Sequence, residues 1–434
     1  MSRALYSLVW YLATPLVMAY LLWRSRRQPA YREHWAERFG VDAARRSAPA
    51  SQGRGRAGGP PLIWLHAVSV GETRAAESLI AALLEHCPEH DLLLTQMTPT
   101  GRETAEKMVA DRWPGRVHIR YLPYDYPHAV ARFLARYRPV AGILMETELW
   151  PNLIAAAARS GVPLALVNAR LSPRSLQRAR RFAGVARRAL ARIALVAAQT
   201  EGDAQRLRAL GAANVVVTGN LKFDQIPSAE LIALGRDWRA LWQRPRVLVA
   251  ASTRDGEEAL LLAALARNPD SSRLTVLVPR HPQRFDEVAA LVEASGLTLA
   301  RRSQTTVPDA TVEVWLGDSM GEMPAYYAAA DVAFVGGSLV PLGGQNLIEA
   351  CACGVPVLVG PHTFNFADAT EQAIAAGAAR RVADAAEMIA AAAGLLADDS
   401  ARSRASAAAL AFSSMHGGAT ARTVAALLPL IAAA

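Results

Sequence analysis

Short apolar runs recur along this chain, each followed by a stretch of helical period and bounded by glycine, proline or polar turn residues. In the first half they lie at 62–66, 92–95, 117–121, 140–145, 164–167, 193–198 and 215–217. A second series begins at 247–251 and continues at 274–278, 312–315, 332–335 and 355–359. Strand–helix alternation of this kind predicts parallel sheets with helices on both faces, hence an α/β fold of two Rossmann-like doubly wound domains. The halves meet near 220–245, and ligands are expected in a cleft faced by the C-terminal ends of the strands. The expected boundaries are 1–27 for an N-terminal segment, 28–225 for the first domain and 226–434 for the second, whose tail from Ala383 is alanine-rich helix. Residues 47–61, SAPASQGRGRAGGPP, carry no apolar period and read as a flexible connector or insertion.

The N-terminal segment departs from this pattern. Residues 5–23 are almost wholly apolar and free of charge, just long enough to span a hydrocarbon core. Arg24, Arg26 and Arg27 follow, with Arg32, Arg38, Arg45 and Arg46 beyond. Positive charge after the apolar run keeps the main body in the cytoplasm by the positive-inside rule. Pro15, Tyr6, Trp10, Tyr11 and Tyr20 equally suit a helix lying in the interface. The chain of 434 residues has 47 basic and 38 acidic side chains, net +9, which favours anionic partners such as phosphates or a phospholipid surface. Nucleic acid is not expected, since neither zinc-finger spacing nor an RNA-binding aromatic signature occurs. Three cysteines, Cys87, Cys351 and Cys353, make neither a disulfide framework nor a four-ligand metal site.

Several stretches carry candidate chemistry. GGSLVPLGGQNLIEA (336–350) follows an apolar run and reads as strand, glycine turn and helix start, an arrangement that offers backbone N–H groups to a phosphate. Glu349, about one turn inside that helix, could accept hydrogen bonds from a ribose. The alternative is a tight strand–helix connection with nothing bound. In HAVSVGE (66–72), Glu72 is either a general base for an acceptor hydroxyl or a first-turn carboxylate stabilised by the helix dipole. In METELWPN (145–152), Glu146 and Glu148 directly follow a strand, and one of them is expected to face the cleft. Residues 168–192 hold eight arginines and no acid. Arg174, Arg178 and Arg181 fall at helical spacing there, and beside a membrane anchor they suit anionic headgroups or a phosphorylated lipid. Arg280 and His281 in PRHP (279–282) follow a strand, and Arg280 could fork onto a phosphate. No P-loop, HExxH, nucleophile elbow or EF-hand motif is present.

Taken in order, HAVSVGE (66–72), ETELWPN (146–152), NARLS (168–172), GNLKFD (219–224), PRHP (279–282), the stretch 320–323 and GGSLVPLGGQNLIEA (336–350) resemble the bacterial 3-deoxy-D-manno-oct-2-ulosonic acid (Kdo) transferases of lipopolysaccharide biosynthesis. The resemblance runs from the N-terminal segment nearly to the C-terminus. It implies a GT-B glycosyltransferase that moves Kdo from CMP-Kdo to a tetraacylated, bisphosphorylated lipid A precursor at the cytoplasmic face of the inner membrane. It also implies Glu72 as base and Glu148 as the second catalytic carboxylate, with Glu146 less firmly mapped. The nucleotide side would comprise Arg280, His281, Gly321, Glu322, Gly337, Ser338, Asn346 and Glu349, with Lys222 as a further substrate-binding residue. No metal-binding acidic pair stands at a strand end of the donor half, so no cofactor and no essential divalent ion are expected. Two alternatives remain at this stage: a related GT-B enzyme using a UDP-sugar, and a membrane-tethered lipid-phosphate binding module without catalysis.

Overall fold

The computed structural model describes residues 2–26, 28–41, 59–180, 183–242 and 244–433. The connector expected at 47–61 and Arg181 lie largely or wholly outside them. The chain divides into two compact units, residues 1–225 with 417–434, and residues 226–416.

Unit 1 is built on a seven-stranded parallel sheet in the order β3-β2-β1-β4-β5-β6-β7. Its strands are β1 (Leu62–His66), β2 (Asp91–Gln96), β3 (Val117–Tyr121), β4 (Ala141–Met145), β5 (Leu164–Ala169), β6 (Leu195–Ala198) and β7 (Val215–Val217). β1 and β4 are buried at every position, as expected for strands covered by helices on both faces. Gly142 in β4 is required by packing, because a Cβ there would meet the Trp64 ring at 2.7 Å.

Unit 2 repeats the plan with the order β10-β11-β9-β8-β12-β13-β14, again all parallel. These strands are β8 (Arg246–Thr253), β9 (Arg273–Pro279), β10 (Leu299–Arg301), β11 (Val314–Leu316), β12 (Val332–Val335), β13 (Val357–Val359) and β14 (Ala379–Arg381). The two-domain α/β expectation is borne out. β10 and β14 were not expected. Each is a three-residue strand at a sheet edge carrying arginine, too short for an apolar run to register.

The tail corrects another expectation. Helices Ala385–Ala397 and Asp399–Met415 belong to unit 2, but helix Ala419–Ala432 returns to unit 1. There Val424, Leu427 and Ile431 join the core that contains Leu79, Ile80 and Leu83 of helix Val70–His86. Asp224 holds the crossing by accepting the N–H groups of Gly418 and Thr420.

The N-terminal helix, Arg3–Ser25, is the only one among the described residues long and apolar enough to cross a membrane by length and composition. It does not project free of unit 1. Ser7 donates to Asn152 at 3.0 Å, Trp10 stacks on Tyr124, Tyr11 bonds to His128, and Thr14 bonds to Tyr126. Further along, Leu21 and Ser25 are buried, and Arg32 donates to the Ser25 hydroxyl. The opposite face is open, with Leu12 70% and Leu16 74% exposed.

Candidate functional site

In each unit, chemistry-bearing residues gather where the strand order reverses. In unit 1 that place is the C-terminal ends of β1 and β4, adjacent parallel strands entered from opposite directions of winding. Helix Val70–His86 puts Glu72 in its first turn. One Glu72 oxygen accepts the Val68 N–H at 2.8 Å, and the other faces the Ser69 hydroxyl at 3.3 Å. Burial pushes its pKa up to about 7. The Val68 N–H works against that shift, and the charges of Glu146 and Glu148 add to it.

The two β4 carboxylates differ sharply. Glu146 sits at φ +56°, an uncommon conformation for a residue with a side chain, and is almost fully buried. Lys222 Nζ contacts it at 2.8 Å and Arg170 Nε at 3.0 Å. Burial works to raise its pKa, but the two cations outweigh burial and hold it below the usual carboxylate value. Among the described residues, Glu148 has no such cationic partner. Burial raises its pKa, the indole N–H of Trp150 opposes, and the Glu146 charge adds. Structure thus separates the roles that sequence left open: Glu146 is neutralised, whereas Glu148 resembles Glu72. Lys222, expected on the substrate or nucleotide side, instead forms a salt bridge within unit 1.

His66 was missed as part of this site. It is fully buried at the end of β1 and pairs through Nδ1 with Thr95, while Trp150 meets its ring edge-on at 5.8 Å. Burial lowers its pKa to about 4, so it is a neutral imidazole at physiological pH. Arg174 and Arg178 are exposed on helix Pro173–Arg180, as a surface anion site requires.

In unit 2 the corresponding place is the ends of β8 and β12, with β9 and β11 alongside. His281 follows β9. Burial lowers its pKa, and Arg254, Arg280 and Arg284 lower it further. The charges of three arginines thus act on one imidazole, a positive environment suited to a phosphate. Arg284 is also tied to the buried Glu258 at 2.7 Å and to Glu287 at 2.9 Å. Following β11, Gly321 adopts φ +87° and Glu322 bonds to Arg302 and Ser319.

The glycine turn after β12 differs from expectation. Its helix is Ile348–Ala352, only five residues, with Glu349 in the first turn and not one turn inside. Just before it, Asn346 Oδ1 accepts the Ile348 N–H at 3.2 Å. The N–H groups of Gly337, Ser338 and Leu339 all point to the carboxylate of Glu257, which is fully buried and also accepts the Arg254 N–H. Ser338 is fully buried too, with its hydroxyl bonded to Val335 and Gly360. The backbone cradle exists, but an internal carboxylate fills it. Gly337 and Ser338, expected on the nucleotide side, thus have their backbone N–H groups taken by Glu257. Gly336 permits the close approach of β12 to β8, since a Cβ there would lie 2.7 Å from the Ser252 oxygen.

Among the described residues, no three His, Cys, Asp or Glu side chains converge as a metal site would require.

Residues 33–225 match the family model described as 3-deoxy-D-manno-octulosonic-acid transferase (kdotransferase). The chain is 48% identical to the 3-deoxy-D-manno-octulosonic acid transferase of Bordetella pertussis, over 98% of this chain and 99% of that one. It is 38% identical to the enzyme of the same description from Haemophilus influenzae, over 84% of each. Among solved structures it resembles UDP-GlcNAc 2-epimerase from Neisseria meningitidis bound to UDP-GlcNAc, with TM-score 0.60, 16% identity, and coverage of 85% of this chain and all of that one. That likeness concerns the fold.

Proposed function

This chain belongs to the 3-deoxy-D-manno-octulosonic acid transferase family and is a glycosyltransferase of GT-B fold; from that premise we propose that it moves Kdo from CMP-Kdo to a tetraacylated, bisphosphorylated lipid A precursor with inversion, using Glu72 as general base. The observation that carries the reading is the Glu72 carboxyl itself, raised to about 7 by burial and by its carboxylate neighbours. A base of that pKa is ionised in half the molecules at neutral pH and still basic enough to take a hydroxyl proton in the transition state.

In this mechanism the acceptor hydroxyl gives its proton to Glu72 as its oxygen bonds to the anomeric carbon of Kdo. The bond from that carbon to the CMP phosphate oxygen breaks, and CMP departs with the electron pair. Arg254, Arg280 and Arg284 around His281 stabilise the charge that develops on the phosphate. Glu349 and Asn346 serve the nucleoside, and the Gly321–Glu322 turn borders it. Glu148 orients the acceptor, while Glu146, neutralised by Lys222 and Arg170, supports the loop between them. Glu257 holds the Gly337–Ser338 backbone behind the nucleotide.

Helix Arg3–Ser25 places the enzyme on the cytoplasmic face of the inner membrane. Polar and aromatic contacts from Ser7 to Thr14 dock the first half of this helix on unit 1, which favours a helix lying in the interface with Leu12 and Leu16 toward the lipid. Arg174 and Arg178 attract the anionic headgroups or acceptor phosphates.

The test is a transfer assay with detergent-solubilised protein, CMP-Kdo generated in situ and the tetraacyl precursor, products resolved by mass. Wild type should add Kdo and Glu72→Gln should not. Retained transfer in the variant would move the base to Glu148. Absence of transfer by wild type, with UDP and not CMP binding, would replace the donor. Lipid binding without turnover of either donor would leave a binding module.

A further inference from the structure

The loop that carries Glu148 is short and is held at both ends. At its start, Glu146 is fixed by Lys222 and Arg170. At its end, Trp150 caps helix Pro151–Arg159, bonds to Glu148 through its indole N–H, and meets His66 edge-on. The first turn of that helix is held by one buried residue, Asp125, from the segment after β3. Its carboxylate accepts the Asn152 N–H at 3.0 Å and the Leu153 N–H at 2.8 Å, and its backbone carbonyl accepts the Asn152 side-chain amide at 2.7 Å. The remaining polar atom of the Asn152 side chain, Oδ1, accepts the hydroxyl of Ser7 on the N-terminal helix. Tyr6 and Arg3 of the same helix lie against Asp125. Asp125 is fully buried and Asn152 is 3% exposed.

We propose that Asn152 and Asp125 form a positioning joint, through which the docked N-terminal helix sets the Glu148 loop and so makes the acceptor site competent. The helix is then a working part of the site as well as an attachment to lipid. Only Pro151 separates Trp150 from Asn152, so loss of the Ser7 contact is transmitted to the indole that orients Glu148. Polar and aromatic residues on one face of the helix (Ser7, Trp10, Tyr11, Thr14) make these contacts, while Leu12 and Leu16 face away and make none of them. The inference rests on the reading of Glu72 and Glu148 given above.

The test uses full-length protein and soluble micelles of the tetraacyl precursor, so that partition onto a bilayer does not limit the rate. Ser7→Ala removes one peripheral hydroxyl and should lower kcat about three- to tenfold, with CMP affinity unchanged. Glu72 is faced by Glu146 and Glu148, with Lys222 and Arg170 behind Glu146. Retreat of Glu148 should therefore lower the acid midpoint of the kcat/KM–pH profile by roughly half a unit. Ser7→Thr should restore both readouts, and Asn152→Ala should exceed Ser7→Ala in both. Leu12→Ser with Leu16→Ser should lose vesicle binding but keep the micellar kcat. Wild-type kcat and pH midpoint in Ser7→Ala would overturn the joint, as would a defect confined to vesicles. Glu72→Gln and Glu148→Gln run alongside: full activity in both would show that the underlying site reading had failed, whereas their loss beside an unaffected Ser7→Ala would reject the joint alone.

Discussion

Glu72 and Glu257 occupy matching places in two similarly wound sheets. Each follows a glycine, Gly71 or Gly256, after the first strand of its unit in chain order, and each lies in the first turn of the next helix. Their surroundings differ. Glu257 is fully buried and accepts four backbone N–H groups, three of them from the end of the neighbouring strand β12. Glu72 receives one N–H and one long hydroxyl contact, and faces the carboxylates of Glu146 and Glu148. Donor supply separates the two carboxylates. Glu257 is spent on holding a loop, while Glu72 has fewer donors and a raised pKa, as the proposed role of base requires.

The same substitution at both positions tests this contrast. Glu72→Gln should reduce kcat by about 10²- to 10⁴-fold, the usual contribution of a general base, with CMP affinity unchanged by calorimetry. Glu257→Gln places an amide N–H₂ among backbone donors. It should destabilise unit 2 by about 2–3 kcal/mol, read as a lower urea midpoint. An unchanged midpoint would break the comparison.

Glu72→Gln should have the opposite effect on stability. The folded-state pKa of Glu72, about 7, lies above the ordinary glutamate value of 4.5, so the native state binds the proton more tightly than the unfolded one. The cost of carrying the charge is absent below pH 4.5, grows between 4.5 and 7, and is complete above 7. Glutamine carries no such cost, so the variant should gain up to about 3 kcal/mol over wild type at pH 8 and nothing near pH 4. Equal denaturation midpoints at pH 8 would show that Glu72 is not held against its charge. The smallest effect is expected at Lys222→Met. Removing the cation beside Glu146 should move the acid limb of kcat/KM upward by a few tenths of a pH unit, roughly.

Much of this was legible before any tertiary contact was known. The strand series, the α/β class, and Glu72 and Glu148 at strand ends all follow from short apolar runs closed by glycine and acid. Arg280 and His281 were equally visible after β9. The Gly–Glu step repeated at 71–72 and 256–257 was present in the sequence too, but its meaning was not. Local reasoning could not supply partners. The carboxylate that takes the Gly337 and Ser338 N–H groups comes from 80 residues earlier. The carboxylate paired with Lys222 stands 76 residues away from it. The return of helix Ala419–Ala432 to unit 1 escaped notice because its apolar face would suit either core.

Periodicity and turn chemistry act over a few residues, so the sequence alone determined the elements, their parallel arrangement and the shortlist of reactive side chains. Burial, donor count and opposing charge depend on which strand ends become neighbours at a switch point. Only the tertiary structure could therefore decide that the Glu72 carboxyl is pushed up to about 7, that Glu146 is paired with two cations and that Glu257 is bonded to backbone N–H groups. For the same reason, an apolar helix that sequence could read as a membrane span proved to be docked along unit 1, with its polar face spent on Asn152, Tyr126 and His128.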